Sequence, residues 1–194
     1  MSKTTRNLAI ITATVLAAGV ALGDPLPYRG GTDDGEYTIE TLEQLRAFEE
    51  AVHYTSFEDS TFTLLADIDC EGGRFNTGDP EYPSTFAGTF DGGGHTISNF
   101  VHASAGGGDY GYGVAMFDFA ETGATIKNLT LEGTLPGTVS GAYAAAFVLA
   151  VEGPAALQLY DCHFRGSVTN YKNAAGLVGW ASPGEGLSGV PSSS

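Results

Sequence analysis

Past Tyr54 the chain runs in short segments rich in β-branched and aromatic residues, with glycine between them: Thr61-Phe62-Thr63-Leu64-Leu65, Thr85-Phe86-Ala87-Gly88-Thr89-Phe90 and His95-Thr96-Ile97-Ser98-Asn99-Phe100-Val101. Runs of this kind, bounded by turn residues, predict strands. Ahead of them the period is different. Leu42, Leu45, Phe48 and Val52 recur at helical spacing, Thr41 stands where a cap is needed, and Gln44 completes a capping box. The pattern predicts a helix over about 41–54 with Glu43, Arg46, Glu49 and Glu50 on the far side, so its apolar stripe needs a partner.

The later runs also repeat. Ile97-Ser98-Asn99-Phe100, Ile126-Lys127-Asn128-Leu129 and Leu159-Tyr160-Asp161-Cys162 share one form: apolar, polar, Asn or Asp, apolar. A second series interleaves with it, Gly113-Val114-Ala115-Met116-Phe117, Ala146-Phe147-Val148-Leu149-Ala150 and Gly176-Leu177-Val178-Gly179-Trp180. Both recur at about 30 residues, and a unit of that length made of short strands buries its apolar side only by stacking on its neighbours. The expected architecture is therefore all-β, a parallel β-helix. Ile97, Ile126 and Leu159 are expected to form one inward ladder, and Asn99, Asn128 and Asp161 to stack at a corner, where short polar side chains tolerate unusual dihedrals.

The N-terminus changes the picture of where this happens. Lys3 and Arg6 precede an apolar run from Leu8 to Leu22, and Ala21 and Gly23 are small residues at signal-peptidase spacing, so residues 1–23 predict a secretory signal peptide cleaved near Gly23. Residues 24–35 predict a flexible leader, 36–182 the β-helix domain, and 183–194 a disordered tail. Cleavage removes two of the 8 basic residues and none of the 23 acidic ones, which takes the net charge from -15 to 6 - 23 = -17. A surface that acidic argues against nucleic acid as a partner, because phosphate recognition depends on Lys and Arg. The expected location is secreted or cell-surface, with no membrane span.

The upstream block, Tyr37-Thr38-Ile39, the helix, Phe62-Thr63-Leu64-Leu65-Ala66-Asp67-Ile68-Asp69 and Phe86 to Phe100, together with Gly176-Leu177-Val178-Gly179, resembles the bacterial GLUG-repeat family over about residues 36–180. That resemblance implies a right-handed, pectate-lyase-like β-helix of exported, adhesin-like proteins, with Gly176 and Gly179 as structural residues, and it supplies no catalytic residues. Val114-Ala115-Met116 and Phe147-Val148-Leu149 depart from the Gly-Leu-aliphatic-Gly core.

Candidate chemistry is sparse. Asp91-Gly92-Gly93-Gly94-His95 could cradle an anion only with a helix behind it, and Thr96-Ile97-Ser98 reads as strand, so the segment predicts a turn. Asp67, Asp69 and Glu71 alternate and are the candidate metal ligands, for a structural calcium, against the plainer reading of a solvated strand end. His53, His95, His102 and His163 show no two-histidine zinc spacing. Cys70 and Cys162 leave the disulfide state open. Tyr110, Tyr112, Tyr143 and Trp180 offer flat faces for sugar rings, or core packing. The sequence-level expectation is a non-enzymatic surface or extracellular protein binding polysaccharide or a cell-surface protein. Its alternatives are a polysaccharide lyase or glycoside hydrolase, for which Lys127, Arg165 and Lys172 are the few available cations, and a structural spacer. An uncapped C-terminal end predicts missing downstream coils or end-to-end self-association.

Overall fold

Thr41 caps the helix as its spacing predicts: its Oγ1 accepts from the Gln44 backbone N–H at 3.2 Å, while Gln44 Oε1 accepts from the Thr41 N–H at 3.2 Å. The computed structural model describes residues 20–21, 35–73, 84–101, 113–136, 143–151, 157–169 and 173–181, and everything structural below refers to these. The predicted tail and His102 lie outside them.

Strand β1 (Val20–Ala21) pairs with β2 (Glu36–Ile39); α1 (Leu42–Ala51) follows, and β3 (Thr61–Leu64) returns parallel beside β2. Strand β1 falls within the segment predicted as a signal peptide. From β3 onward the chain circles. β4 (Ile68–Asp69) and β5 (Thr85–Phe86) finish the first winding. The second holds β6 (Thr89–Asp91), β7 (Thr96–Val101), β8 (Gly113–Val114) and β9 (Phe117–Ala120). The third holds β10 (Thr125–Lys127), β11 (Thr130–Pro136), β12 (Tyr143–Ala145) and β13 (Val148–Val151). The last holds β14 (Gln158–Tyr160), β15 (His163–Thr169), β16 (Asn173–Ala175) and β17 (Val178–Ala181).

Successive windings lay strands on the same faces in the same order, the first without a described strand on the third face. The first face runs β1-β2-β3-β6-β10-β14, the second β4-β7-β11-β15, the third β8-β12-β16 and the fourth β5-β9-β13-β17, with parallel pairing throughout. Period-two alternation then turns one side of every strand inward. Tyr37, Phe62, Phe90, Ile126 and Leu159 form a column on the first face, and Ile68, Ile97, Leu131 and Phe164 a column on the second. Phe62, Phe90, Ile97, Ile126 and Leu131 have no exposed surface. Burying each contributes about 1.5–3 kcal/mol, which no winding collects alone.

The helix closes the N-terminal end of this core. Leu45, Phe48 and Val52 are buried, and the Phe48 ring lies 4.5 Å from Phe62 and 5.2 Å from Phe90, centroid to centroid. Glu49 corrects the predicted polar side. It is buried and ion-paired to Arg46 at 2.6 Å, because a 3.6-residue period returns position 49 to the stripe begun by Leu42.

Two registers differ from expectation. Ile126 and Leu159 do pair, but Ile97 belongs to the second face, opposite Ile68 and Leu131, while Phe90 occupies the place expected for it. The cause is the corner between the first two faces. It takes Asn128-Leu129 in the third winding but Gly92-Gly93-Gly94-His95 in the second, so the motif is carried into the next strand. Asn99 consequently does not stack on Asn128. It bulges within β7, where the register to β11 shifts between Glu132 and Gly133. In the second series Gly113 pairs with Tyr143, and Val148 pairs with both Phe117 and Val178, so Ala146 does not lie over Gly113.

The fourth face starts from a clamp. Ser84 N–H and Oγ–H both donate to Asp118 Oδ2, at 2.9 and 3.0 Å, and Asp118 N–H donates back to Ser84 Oγ at 2.9 Å. Asp118→Ala would remove the carboxylate that accepts from the buried Ser84 N–H and hydroxyl, and we expect a loss of about 1–3 kcal/mol in urea unfolding.

Candidate functional site

The corner between the first and second faces carries the densest polar chemistry. Three of its acids reach across to the next winding. Asp67 Oδ1 accepts from the Thr96 N–H at 2.9 Å and lies 3.2 Å from His95 Nδ1. Asp69 Oδ2 accepts from Asn99 Nδ2 at 3.0 Å, and its Oδ1 accepts from the Glu71 N–H at 2.7 Å. Asp91 Oδ1 accepts from Asn128 Nδ2 at 3.0 Å and from the Gly93 N–H at 2.9 Å, with Lys127 Nζ 3.1 Å from Oδ2.

Local backbone geometry sets these side chains in place. Glu71, Asn99, Asn128 and Asp161 have φ of 55°, 55°, 54° and 48°, the left-handed region that Asn and Asp tolerate best among side-chain-bearing residues. Gly93 and Gly94, at 60° and 83°, make the predicted turn, but the chain bends from one parallel face to the next instead of reversing. Asn128→Gly should therefore cost little more than its hydrogen bond, about 1 kcal/mol, whereas Asn128→Ala adds left-handed strain of about 1–2 kcal/mol. Thermal unfolding of the two variants side by side checks the order.

The hydrogen bonds also move the acids. The Thr96 amide, then His95, holds the Asp67 carboxyl below its usual range. For Asp91, partial burial pushes upward but is outweighed by donors from Asn128, Gly93 and Lys127, and the net direction is down. A carboxylate depressed in the folded state adds stability above its unfolded pKa of about 3.9 and loses it as pH falls through the folded value. The midpoint temperature is expected to drop below about pH 4, and less so in Asp91→Asn.

Beside this row, at the Asn99 bulge, the second face opens into a shallow recess of about 360 Å³ lined by Asp69, Glu71, Asn99, Val101, Gly133 and Thr134. Its size is at the lower end for small-molecule sites. Gly133 is required there, since a Cβ would meet the Phe100 carbonyl oxygen at 2.5 Å.

The expected metal ligands are thus separated by role: Asp67 and Asp69 brace neighbouring windings, and Glu71 sits at the recess rim. Among the described residues, no group of three or more His, Cys, Asp or Glu side chains is arranged to hold a metal. Cys70 and Cys162 are free thiols, each pushed up to about 11 by burial. His163 begins β15 in an exposed position, and His53 lies just past the helix. Gly176 has open space around it, whereas a Cβ on Gly179 would meet the Leu149 carbonyl oxygen at 2.8 Å. Tyr110, Tyr112, Lys172 and the side chains of Tyr143 and Trp180 lie outside the described residues. Asp91 was read from the sequence only as part of a turn, and its bond to Asn128, like the rim positions of Val101 and Thr134, escaped that reading because the partners lie one winding away.

Halomucin from Haloquadratum walsbyi (strain DSM 16790 / HBSQ001) is 31% identical to this chain over 134 residues, 59% of the chain and 1% of halomucin. The chain thus corresponds to a small part of that relative's length. No family model matches, and no solved structure matches. Among the described residues no helix is long and apolar enough to cross a membrane.

Proposed function

We propose that this protein is an exported, non-enzymatic module of a cell surface or extracellular layer, a right-handed parallel β-helix of the GLUG-repeat kind that binds glycan through its second face. The observation that carries this reading is the open recess at the Asn99 bulge, set on a wall of stacked parallel strands. It offers carboxylate and amide groups from Asp69, Glu71 and Asn99, the Thr134 hydroxyl and apolar surface from Phe100 and Val101. A sugar presents the matching mixture of hydroxyls and C–H surface. The acidic composition and the similarity to halomucin support an extracellular setting.

The test uses the secreted protein and a panel of extracellular polysaccharides. Retention without new reducing ends or unsaturated products is the expected result, with Thr134→Trp weakening retention at least about tenfold by filling the recess. Turnover of any polysaccharide overturns the reading. The mature N-terminus is expected at Asp24.

Charge makes a separate prediction. The net charge of the secreted protein, 6 - 23 = -17, repels itself in the folded state, and raising salt shortens the screening length from about 10 Å at 0.1 M to about 3 Å at 1 M. The midpoint temperature should rise across that range.

A further inference from the structure

The corner of the third winding carries a sequence that the other corners lack. Asn128-Leu129-Thr130 is the chain's single Asn-X-Ser/Thr triplet, the acceptor pattern for N-linked sugar. The related motifs break it: Asn99 is followed by Phe100-Val101, and Asp161 by Cys162-His163. A left-handed corner calls for a short polar residue or glycine, and Asp161 at φ 48° meets that need as Asn128 does at 54°. It makes no demand for a hydroxyl two positions on.

The fold leaves this triplet open to solvent. Asn128 and Thr130 are partly exposed, whereas Leu129 between them points into the core with no exposed surface. Toward the preceding winding the corner is Gly92-Gly93-Gly94. Gly94 N–H donates to Asn128 O at 2.8 Å, and a Cβ on Gly94 would meet nothing within 4 Å. The backbone beside Asn128 therefore carries no side chain and borders open space. Toward the last winding the neighbour is Asp161, which is exposed.

The bracing contacts survive a sugar at this position. Asn128 Nδ2 donates to Asp91 Oδ1 at 3.0 Å, and a side-chain amide nitrogen has two hydrogens. Replacing one by a sugar carbon leaves one N–H for Asp91. Thr130 joins the sheet through its backbone, its N–H donating to His95 O at 3.2 Å, so its hydroxyl is not part of the ladder.

We propose that Asn128 is an N-glycosylation site that takes a saccharide from a lipid-phosphate donor during export. Nδ2 forms a bond to the anomeric carbon of the sugar. The bond from that carbon to the phosphate oxygen breaks, its electron pair leaves with the lipid phosphate, and the displaced amide proton passes to solvent. The proposal rests on the export part of the reading above and not on glycan binding at the recess, whose lining does not include Asn128.

The test is the mass of the protein recovered from the medium of the cells that make it, intact and as tryptic peptides. The expected mass exceeds that of the chain from Asp24 by a whole number of sugar residues, all of it on the peptide that begins at Asn128, after Lys127. Thr130→Val keeps a β-branched residue in β11 and should lose the excess completely, while Thr130→Ser should keep it. Because that peptide holds other hydroxyl groups, an excess that persists in Thr130→Val places the sugar on one of them and overturns the proposal. A chain cleaved near Gly23 that carries no sugar overturns it and leaves export standing; an uncleaved, unmodified chain overturns both.

Discussion

Phe48→Ala is expected to be the most damaging single truncation, lowering the unfolding free energy by about 3–5 kcal/mol, the range for emptying a buried aromatic site. Phe48 has 1% of its surface exposed and brings together residues from several turns of the chain. Its ring is 4.5 Å from Phe62, 5.2 Å from Phe90, 6.0 Å from both Phe86 and Phe117, and 6.5 Å from Phe57. Alanine keeps helix propensity, so what is lost is packing of α1 onto the open end of the core. Urea unfolding should show a lower midpoint in Phe48→Ala, while Glu43→Ala on the exposed side stays close to the parent. A change below 1 kcal/mol in Phe48→Ala would mean that the helix does not close the core.

Ile126→Ala is expected to cost about 2–5 kcal/mol. Ile126 sits in the middle of the first-face column, paired to Phe90 on one side and Leu159 on the other, and it is fully buried. A cavity there has aromatic and aliphatic walls from two other windings, which relax only as far as their own pairing allows. Comparison with Tyr160→Ala, a substitution on the neighbouring strand at a side chain 53% exposed, separates the column from the surface. Chemical denaturation reads both, and the column is refuted if the two variants lose stability equally.

The sequence was most legible where the interaction is local. The Thr41–Gln44 capping box, the Leu45–Phe48–Val52 stripe, the start of strand at Glu36 and the Gly93–Gly94 turn depend on residues a few positions apart, and they form as their spacing predicts. Ile126 over Leu159 was legible too, because the third and last windings have corners of equal length. Ile97 was misplaced for the converse reason: a corner of four residues imitates a repeat unit that is out of step. Asn99 deepened the error by being left-handed, as Asn128 is, although it bulges within a strand. The polar row was hardest to foresee. Asp91 meets Asn128, and Asp67 meets Thr96, only because one winding lies on the next.

The amino-acid order alone determined the kind of element at each place, the acidic surface, and the need for windings to stack, since hydrophobic period, capping and glycine dihedrals act over a few residues. Only the tertiary structure decided which side chain lies over which. That choice depends on the length of each corner and on a single bulge, and a shift of one residue in a strand turns its inward side chains outward.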